Sequence, residues 1–108
     1  MHIPVMLLET VDRLKVVRGG TYLDCTLGDG GHSAEILRRG GPSTTLLGLD
    51  RDEAALARAK QNLAGFPAKV VYAHTNHAHV AETCDKLGFE QFDGAVIDLS
   101  LIHISEPT

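Results

Sequence analysis

The chain has only two cysteines, Cys25 and Cys84, in 108 residues. Two thiols cannot build the disulfide framework that holds small secreted domains together, so the expectation is reduced thiols in a cytoplasmic protein. No apolar run approaches the ~20 residues of a membrane span, which argues against a membrane partner. The opening Met1-His2-Ile3-Pro4 lacks the basic stretch of a secretory leader, and Glu9 interrupts the apolar segment behind it. Eleven Gly and four Pro are scattered without a collagen or linker period, and no internal repeat is visible. A basic stripe of the kind that grips nucleic-acid phosphates is also missing. Residues 1–60 hold eight Lys/Arg and eight Asp/Glu, residues 61–108 two and six, so the net charge of −4 arises in the second part. Any surface that grips RNA is expected to be weak in this chain or to lie outside it.

What is present fits a globular chain of one domain at most, with 44% apolar and 22% charged residues. A chain of this size buries roughly two-thirds of its unfolded surface. Short apolar runs alternate with helical patterns. Pro4 opens a first helix with Leu7, Val11 and Leu14 on one stripe, stopped by Gly19-Gly20. Thr21–Thr26 reads as a strand, Ser33–Arg39 as a helix with Ile36 and Leu37 turned inward, and Thr44–Leu49 as a second strand closing on Asp50. Asp52 is an N-cap for a helix that faces inward with Leu56, Ala59 and Leu63. Lys69–Ala73 is a third strand. Val80, Cys84 and Leu87 mark a helix ended by Gly88, and Phe92–Leu99 is a fourth strand. Strands alternating with helices predict an α/β fold with a parallel sheet.

The feature that carries chemistry is Asp24-Cys25-Thr26-Leu27-Gly28-Asp29-Gly30-Gly31-His32, between a strand and a helix. Glycines let the backbone turn sharply and approach a ligand, and the helix N-terminus adds oriented N–H groups. Asp50 follows at the end of the second strand, where a carboxylate receives hydrogen bonds from a ribose diol in folds of this kind. The pattern therefore points to a nucleoside cofactor. The dinucleotide fingerprint G-x-G-x-x-G requires glycine where Ser33 stands, and a P-loop requires a lysine that is absent. Asp24 and Asp29 would repel a pyrophosphate, whereas S-adenosylmethionine carries an ammonium and a sulfonium. Spacing favours adenosylmethionine over a dinucleotide; a glycine turn that only connects a strand to a helix is the third reading. Asp24 itself is read either as a cofactor contact or as a residue that binds the turn amides. Cys25 is expected to be a buried small side chain rather than a nucleophile. His74, His77 and His79 form an H-x-x-H-x-H cluster, but no Cys or acid stands at ligand spacing, so no metal is expected.

His2-Ile3-Pro4-Val5-Met6-Leu7-Leu8-Glu9 and Asp24–Ser33 resemble the N-terminal part of the bacterial ribosomal RNA small-subunit methyltransferase H family. Gly48-Leu49-Asp50-Arg51-Asp52 and Phe92-Asp93-Gly94-Ala95-Val96-Ile97-Asp98-Leu99 resemble it too, so the likeness covers residues 2–99 in order. It implies a Rossmann-like adenosylmethionine-dependent methyltransferase fold, truncated here after about four parallel strands. It implies methylation of the exocyclic N4 amine of a cytidine in 16S rRNA of the small ribosomal subunit. It also implies a cofactor site made by Gly30, Gly31, His32, Asp50 and Asp98. Asp98 would lie beside the cofactor and the incoming base. His77 falls where relatives carry a phenylalanine near the adenine; an imidazole also stacks.

Past Leu99 the chain departs from the family pattern, which continues with a glycine and a Val-Ser-Ser segment and runs to well over twice this length. Residues 1–99 are therefore expected to be the front of the methyltransferase domain. Residues 100–108 are expected to be a non-native tail resembling translated adapter sequence. Four strands alone would leave an unpaired edge. The 108 residues are accordingly expected to bind cofactor weakly and not to methylate rRNA. Against the methyltransferase stand a dehydrogenase-like nucleotide binder and a non-catalytic cofactor-binding fragment.

Overall fold

The computed structural model describes residues 13–97 and the backbone of residues 100–102. The opening helix from Pro4 and the residues Asp98 and Leu99 lie outside the described residues, apart from the end of that helix. The elements are β1 (Thr21–Asp24), α1 (Gly31–Gly40), β2 (Thr45–Asp50), α2 (Glu53–Leu63) and β3 (Lys69–His74). A 3-10 turn at His77–His79 leads into α3 (Val80–Leu87), then β4 (Gly94–Ile97) and β5 (Ser100–Ile102).

The sheet order is β3-β2-β1-β4-β5. The first four strands are parallel, as the strand–helix alternation predicts. Side chains alternate between the two faces with the period of two that a strand dictates. Tyr22, Leu46, Val70 and Val96 join a core with Leu14, Leu27, Ile36, Leu37, Leu56, Ala59 and Leu63 beneath α1 and α2. Leu23, Leu47, Val71 and Ala95 point the other way, into a cluster with Cys25, Leu49 and Phe92 that packs against Val80, Cys84 and Phe89. Both faces are covered, so the strands read as continuous apolar runs rather than alternating ones.

Three expectations are corrected. The first helix does not run to Gly19-Gly20: Arg13 and Leu14 are its last helical residues, and the chain turns at Lys15, with φ at +54°. That left-handed value is uncommon for a residue with a side chain, so the sequence did not advertise it. β1 stops at Asp24 rather than Thr26, although the Cys25 N–H still donates to the Val96 carbonyl at 2.8 Å and the Leu27 N–H to Leu49 at 2.8 Å. The chain therefore curls over the strand ends while its amides stay satisfied. Lastly, the edge beyond β4 is not left bare. β5 pairs with it antiparallel, matching Ala95 with Ile102, Val96 with Leu101 and Ile97 with Ser100.

α1 begins two residues before the predicted Ser33, because Gly30 adopts φ +92° and releases the chain into the helix. The Asp52 side chain caps α2 as expected, accepting from the Ala54 N–H at 2.9 Å. Gly88, with φ +81°, ends α3. No helix among the described residues is long and apolar enough to cross a membrane.

Candidate functional site

The order of the strands reverses between β1 and β4, and in open α/β sheets ligands settle at the carboxyl ends beside such a switch point. The residues that follow β1, β2 and β3 meet there. Cys25 and Thr26 follow β1, Asp50 and Arg51 close β2, and Asn76, His77 and Ala78 follow β3; together they line a cavity of about 350 Å³. Strand register brings the last group into place. Asp50 lies opposite His74, and the Thr75 N–H donates to the Asp50 carbonyl at 3.0 Å, which carries residues 76–78 over the end of β2. Asn76 then fixes the turn by accepting the Ala78 N–H on its side chain at 2.9 Å.

Asp50 is anchored at both carboxylate oxygens. Oδ2 accepts the Gly28 N–H at 2.8 Å and Oδ1 the Asp52 N–H at 2.9 Å. Each oxygen keeps further acceptor capacity, so the group is oriented without being saturated. The Arg51 carbonyl receives the His74 Nε2–H at 2.9 Å, which ties the end of β3 to the same loop.

The glycine loop is built from beneath. Asp24 is 1% exposed. Its Oδ2 accepts the Ser33 hydroxyl at 2.7 Å, and its Oδ1 accepts the Thr26 N–H at 3.2 Å. Burial pushes its carboxyl above the ordinary range, and the like charge of Asp50 adds to this; the two hydrogen bonds and nearby His32 pull the other way. Of the two roles left open for Asp24, the structure shows the turn-binding one. Asp29 accepts the Gly31 N–H at 3.2 Å. From outside, the Asn62 side chain of α2 donates to the Asp29 carbonyl at 2.8 Å. A Cβ on Gly30 would stand 3.4 Å from the Leu63 Cγ, so this glycine seats the loop against α2. Gly28, at φ +56°, is different: a Cβ there would meet only the Thr26 carbonyl oxygen, at 4.0 Å.

The geometry thus brings Asp50 and His77 onto one cavity. Gly30, Gly31 and His32 form the adjacent loop and start of α1 but do not line it. His32 Nε2 is buried there without a hydrogen-bond partner. Asp98 lies outside the described residues. Sequence reasoning did not single out Arg51, Asn76 or Asn62; only Asn76, two residues ahead of an amide it caps, carried a local signal. Cys25 is buried at 2%, as expected, and its position also touches the cavity. No group of three or more His, Cys, Asp or Glu among the described residues is arranged to hold a metal ion.

Residues 1–107 match the MraW methylase family. The chain belongs to that family. Among similar family members, the ribosomal RNA small subunit methyltransferase H of Symbiobacterium thermophilum is 51% identical over 100 residues, covering 93% of this chain and 31% of that protein. The protein of the same name from Nitratidesulfovibrio vulgaris is 45% identical over 101 residues, covering 94% and 28%. The chain therefore spans about a third of the length of the curated relatives it matches. Two solved structures share the fold. One is a putative rRNA-methylase from Clostridium thermocellum, with TM-score 0.65 and 23% identity over 76% of this chain and 46% of that one. The other is an rRNA methylase from Streptococcus thermophilus, with TM-score 0.66 and 19% identity over 90% and 56%. The MraW methylase family chain thus has the Rossmann-like methyltransferase fold that its sequence implied.

Proposed function

We propose that this chain forms the cofactor-binding part of an adenosylmethionine-dependent methyltransferase acting on the N4 amine of a cytidine in 16S rRNA, in the cytoplasm. The observation that carries the reading is the cavity at the ends of β1, β2 and β3, with the doubly anchored Asp50 on its wall. Its volume of about 350 Å³ lies within the range of small-molecule pockets.

The residues present fit adenosylmethionine. Asp50 offers acceptor capacity to a ribose diol. His77 offers an imidazole face to a purine. Gly28 leaves open the space that a side chain would fill. Asp29 and Asp50 give the loop a negative character suited to an ammonium and a sulfonium. A dinucleotide fits less well: Ser33, where its fingerprint requires glycine, is buried and committed to Asp24.

Bound adenosylmethionine supplies an electrophilic methyl group. The chain's own residues bind and orient. Asp50 sets the ribose position and the Asp24–Ser33 pair holds the turn beneath the loop. His32 presents a buried ring nitrogen in need of a partner, and Asp98 stands as the proposed residue nearest the incoming amine. Positioning of this kind is a large share of what methyl transfer requires. The base itself must leave its stack to reach such a site.

Calorimetry of the 108-residue chain with adenosylmethionine, adenosylhomocysteine and NAD tests the reading. Weak binding of the first two and none of NAD is the expected result. Binding of NAD alone would overturn it. Labelled methyl transfer to small ribosomal subunits is expected to be absent for these residues alone and present for a full-length relative.

A further inference from the structure

Five of the chain's ten Lys/Arg fall in two short segments that the fold brings together: Arg13, Lys15 and Arg18 before β1, and Arg38 and Arg39 at the end of α1. The Gly19 N–H donates to the Gly40 carbonyl at 3.0 Å, stitching one segment to the other. The Arg18 guanidinium lies over Gly41, 3.6 Å from where a Cβ there would stand. Arg13, Lys15, Arg18 and Arg38 are exposed. Neither residues 13–20 nor residues 36–45 contain an acid. Glu35, 4% exposed, pairs with Arg38 at 2.6 Å and Arg39 at 2.7 Å and offsets one of these charges. Asp93 sits at the margin, its carboxylate taken up by the Thr21 N–H at 2.8 Å.

The segment before β1 is held in shape. Leu14 is buried, the Val17 N–H donates to the Tyr22 hydroxyl at 2.8 Å, and the Gly20 N–H donates to the Val17 carbonyl at 3.2 Å. Its cations are therefore presented from a fixed backbone, which lowers the ordering cost of a contact. In a chain of net charge −4, a concentration of cations at one end is a local field opposite in sign to the whole.

We propose that Arg13, Lys15, Arg18, Arg38 and Arg39 form a phosphate-binding surface for a structured RNA, at the end of the sheet opposite the cavity. The proposal rests on the reading of this chain as part of an rRNA methyltransferase. The strands separate the two ends by about 15–20 Å at ~3.3 Å per residue. A mononucleotide at the cavity cannot reach the cations. A folded RNA that extends past the target base can. The contacts fix how the RNA sits and carry no base readout. The absence of a basic stripe in the linear sequence is thus compensated in space, because the two segments lie about twenty positions apart along the chain.

The test measures binding of a fluorescein-labelled RNA stem-loop to the 108-residue chain by anisotropy, across a salt series. Lys15→Gln, Arg18→Gln and Arg38→Gln combined are expected to weaken binding about tenfold or more and to flatten the log–log salt slope by about 2. A second variant, Arg13→Gln with Lys15→Gln and Arg18→Gln, leaves the Glu35 pairs intact and is expected to behave alike with an unchanged Tm. Unaltered RNA affinity and slope in both variants would overturn the proposal. Loss of binding to phosphatidylserine vesicles with RNA binding intact would overturn it in favour of a lipid surface. Calorimetry with adenosylmethionine on the same samples keeps the two readings apart. Unchanged cofactor affinity in the variants is expected. Cofactor binding absent from every sample, while the substitutions still weaken RNA binding and flatten its salt slope, would sink the cofactor reading and leave the surface standing.

Discussion

The carboxylate of Asp50 accepts the backbone N–H of Gly28 at 2.8 Å, across 22 positions of sequence. This contact joins the two features that the sequence singled out separately, the glycine-rich turn and the acid at the end of the second strand. One oxygen holds the turn after β1, and the other holds the Asp52 N–H at the start of α2. Asp50 therefore shapes the cavity as well as facing it.

Replacing Asp50 by Ala is expected to act twice. Two N–H groups lose their acceptor, which costs about 1–3 kcal/mol where water does not reach them. The ribose partner is lost as well. Adenosylmethionine affinity should fall by more than tenfold in calorimetry, with a lowered Tm. Asp50→Asn keeps one acceptor and should fall between wild type and Ala. A wild-type affinity in Asp50→Ala would remove Asp50 from the site.

Asn62 separates loop geometry from stability. Its side chain lies on the exposed face of α2 and donates to the Asp29 carbonyl at 2.8 Å. Alanine forfeits that bond, worth about 0.5–1.5 kcal/mol, but is the better helix former by a few tenths. Tm should therefore move little in Asn62→Ala, while cofactor affinity drops several-fold as the loop loosens. Equal losses in both would make the residue a plain stability contact.

Gly40 is a packing requirement rather than a turn. A Cβ there would collide with the Thr44 hydroxyl and approach its Cβ to 3.1 Å, where the chain doubles back from α1 into β2. Thr44 is 1% exposed and has no room to retreat. Gly40→Ala should destabilise by about 1–3 kcal/mol, the usual range for overpacking, seen as a lower urea midpoint with the same m-value. Cofactor affinity extrapolated to native conditions should be unaffected.

The sequence made the parallel core and the Asp50 position readable because both depend on local patterns: Thr44–Leu49 and Lys69–Ala73 as short apolar strands, Asp52 as a cap, Gly88 as a stop. The rest depended on register or on a single dihedral. Arg51 and Asn76 share a cavity only because β2 and β3 pair Asp50 with His74. Lys15 ends its helix through one left-handed residue, ahead of the glycines that drew attention. β5 is three residues long, too short for alternation to register, and antiparallel where every earlier strand is parallel. The basic surface escaped for the same reason as the cavity residues: two segments that look unremarkable alone are joined by the Gly19–Gly40 hydrogen bond.

The buried Asp24 predicts a pH dependence with a definite sign. Its carboxyl is raised above the ordinary 3.8, first by desolvation. The folded state then holds the proton more tightly than the unfolded chain. The resulting stabilisation is fully present below 3.8 and is lost as pH rises through the folded value. Asn cannot ionise and can still serve the neighbours: its Oδ1 accepts the Thr26 N–H and its Nδ2 donates to Ser33 Oγ. Asp24→Asn should therefore lack this pH-linked loss. Its Tm relative to wild type should climb steadily from pH 4 upward and level off once wild-type Asp24 has ionised. A Tm difference that stays flat over that range, or falls, would show that the Ser33 and Thr26 hydrogen bonds and the charge of His32 outweigh the burial.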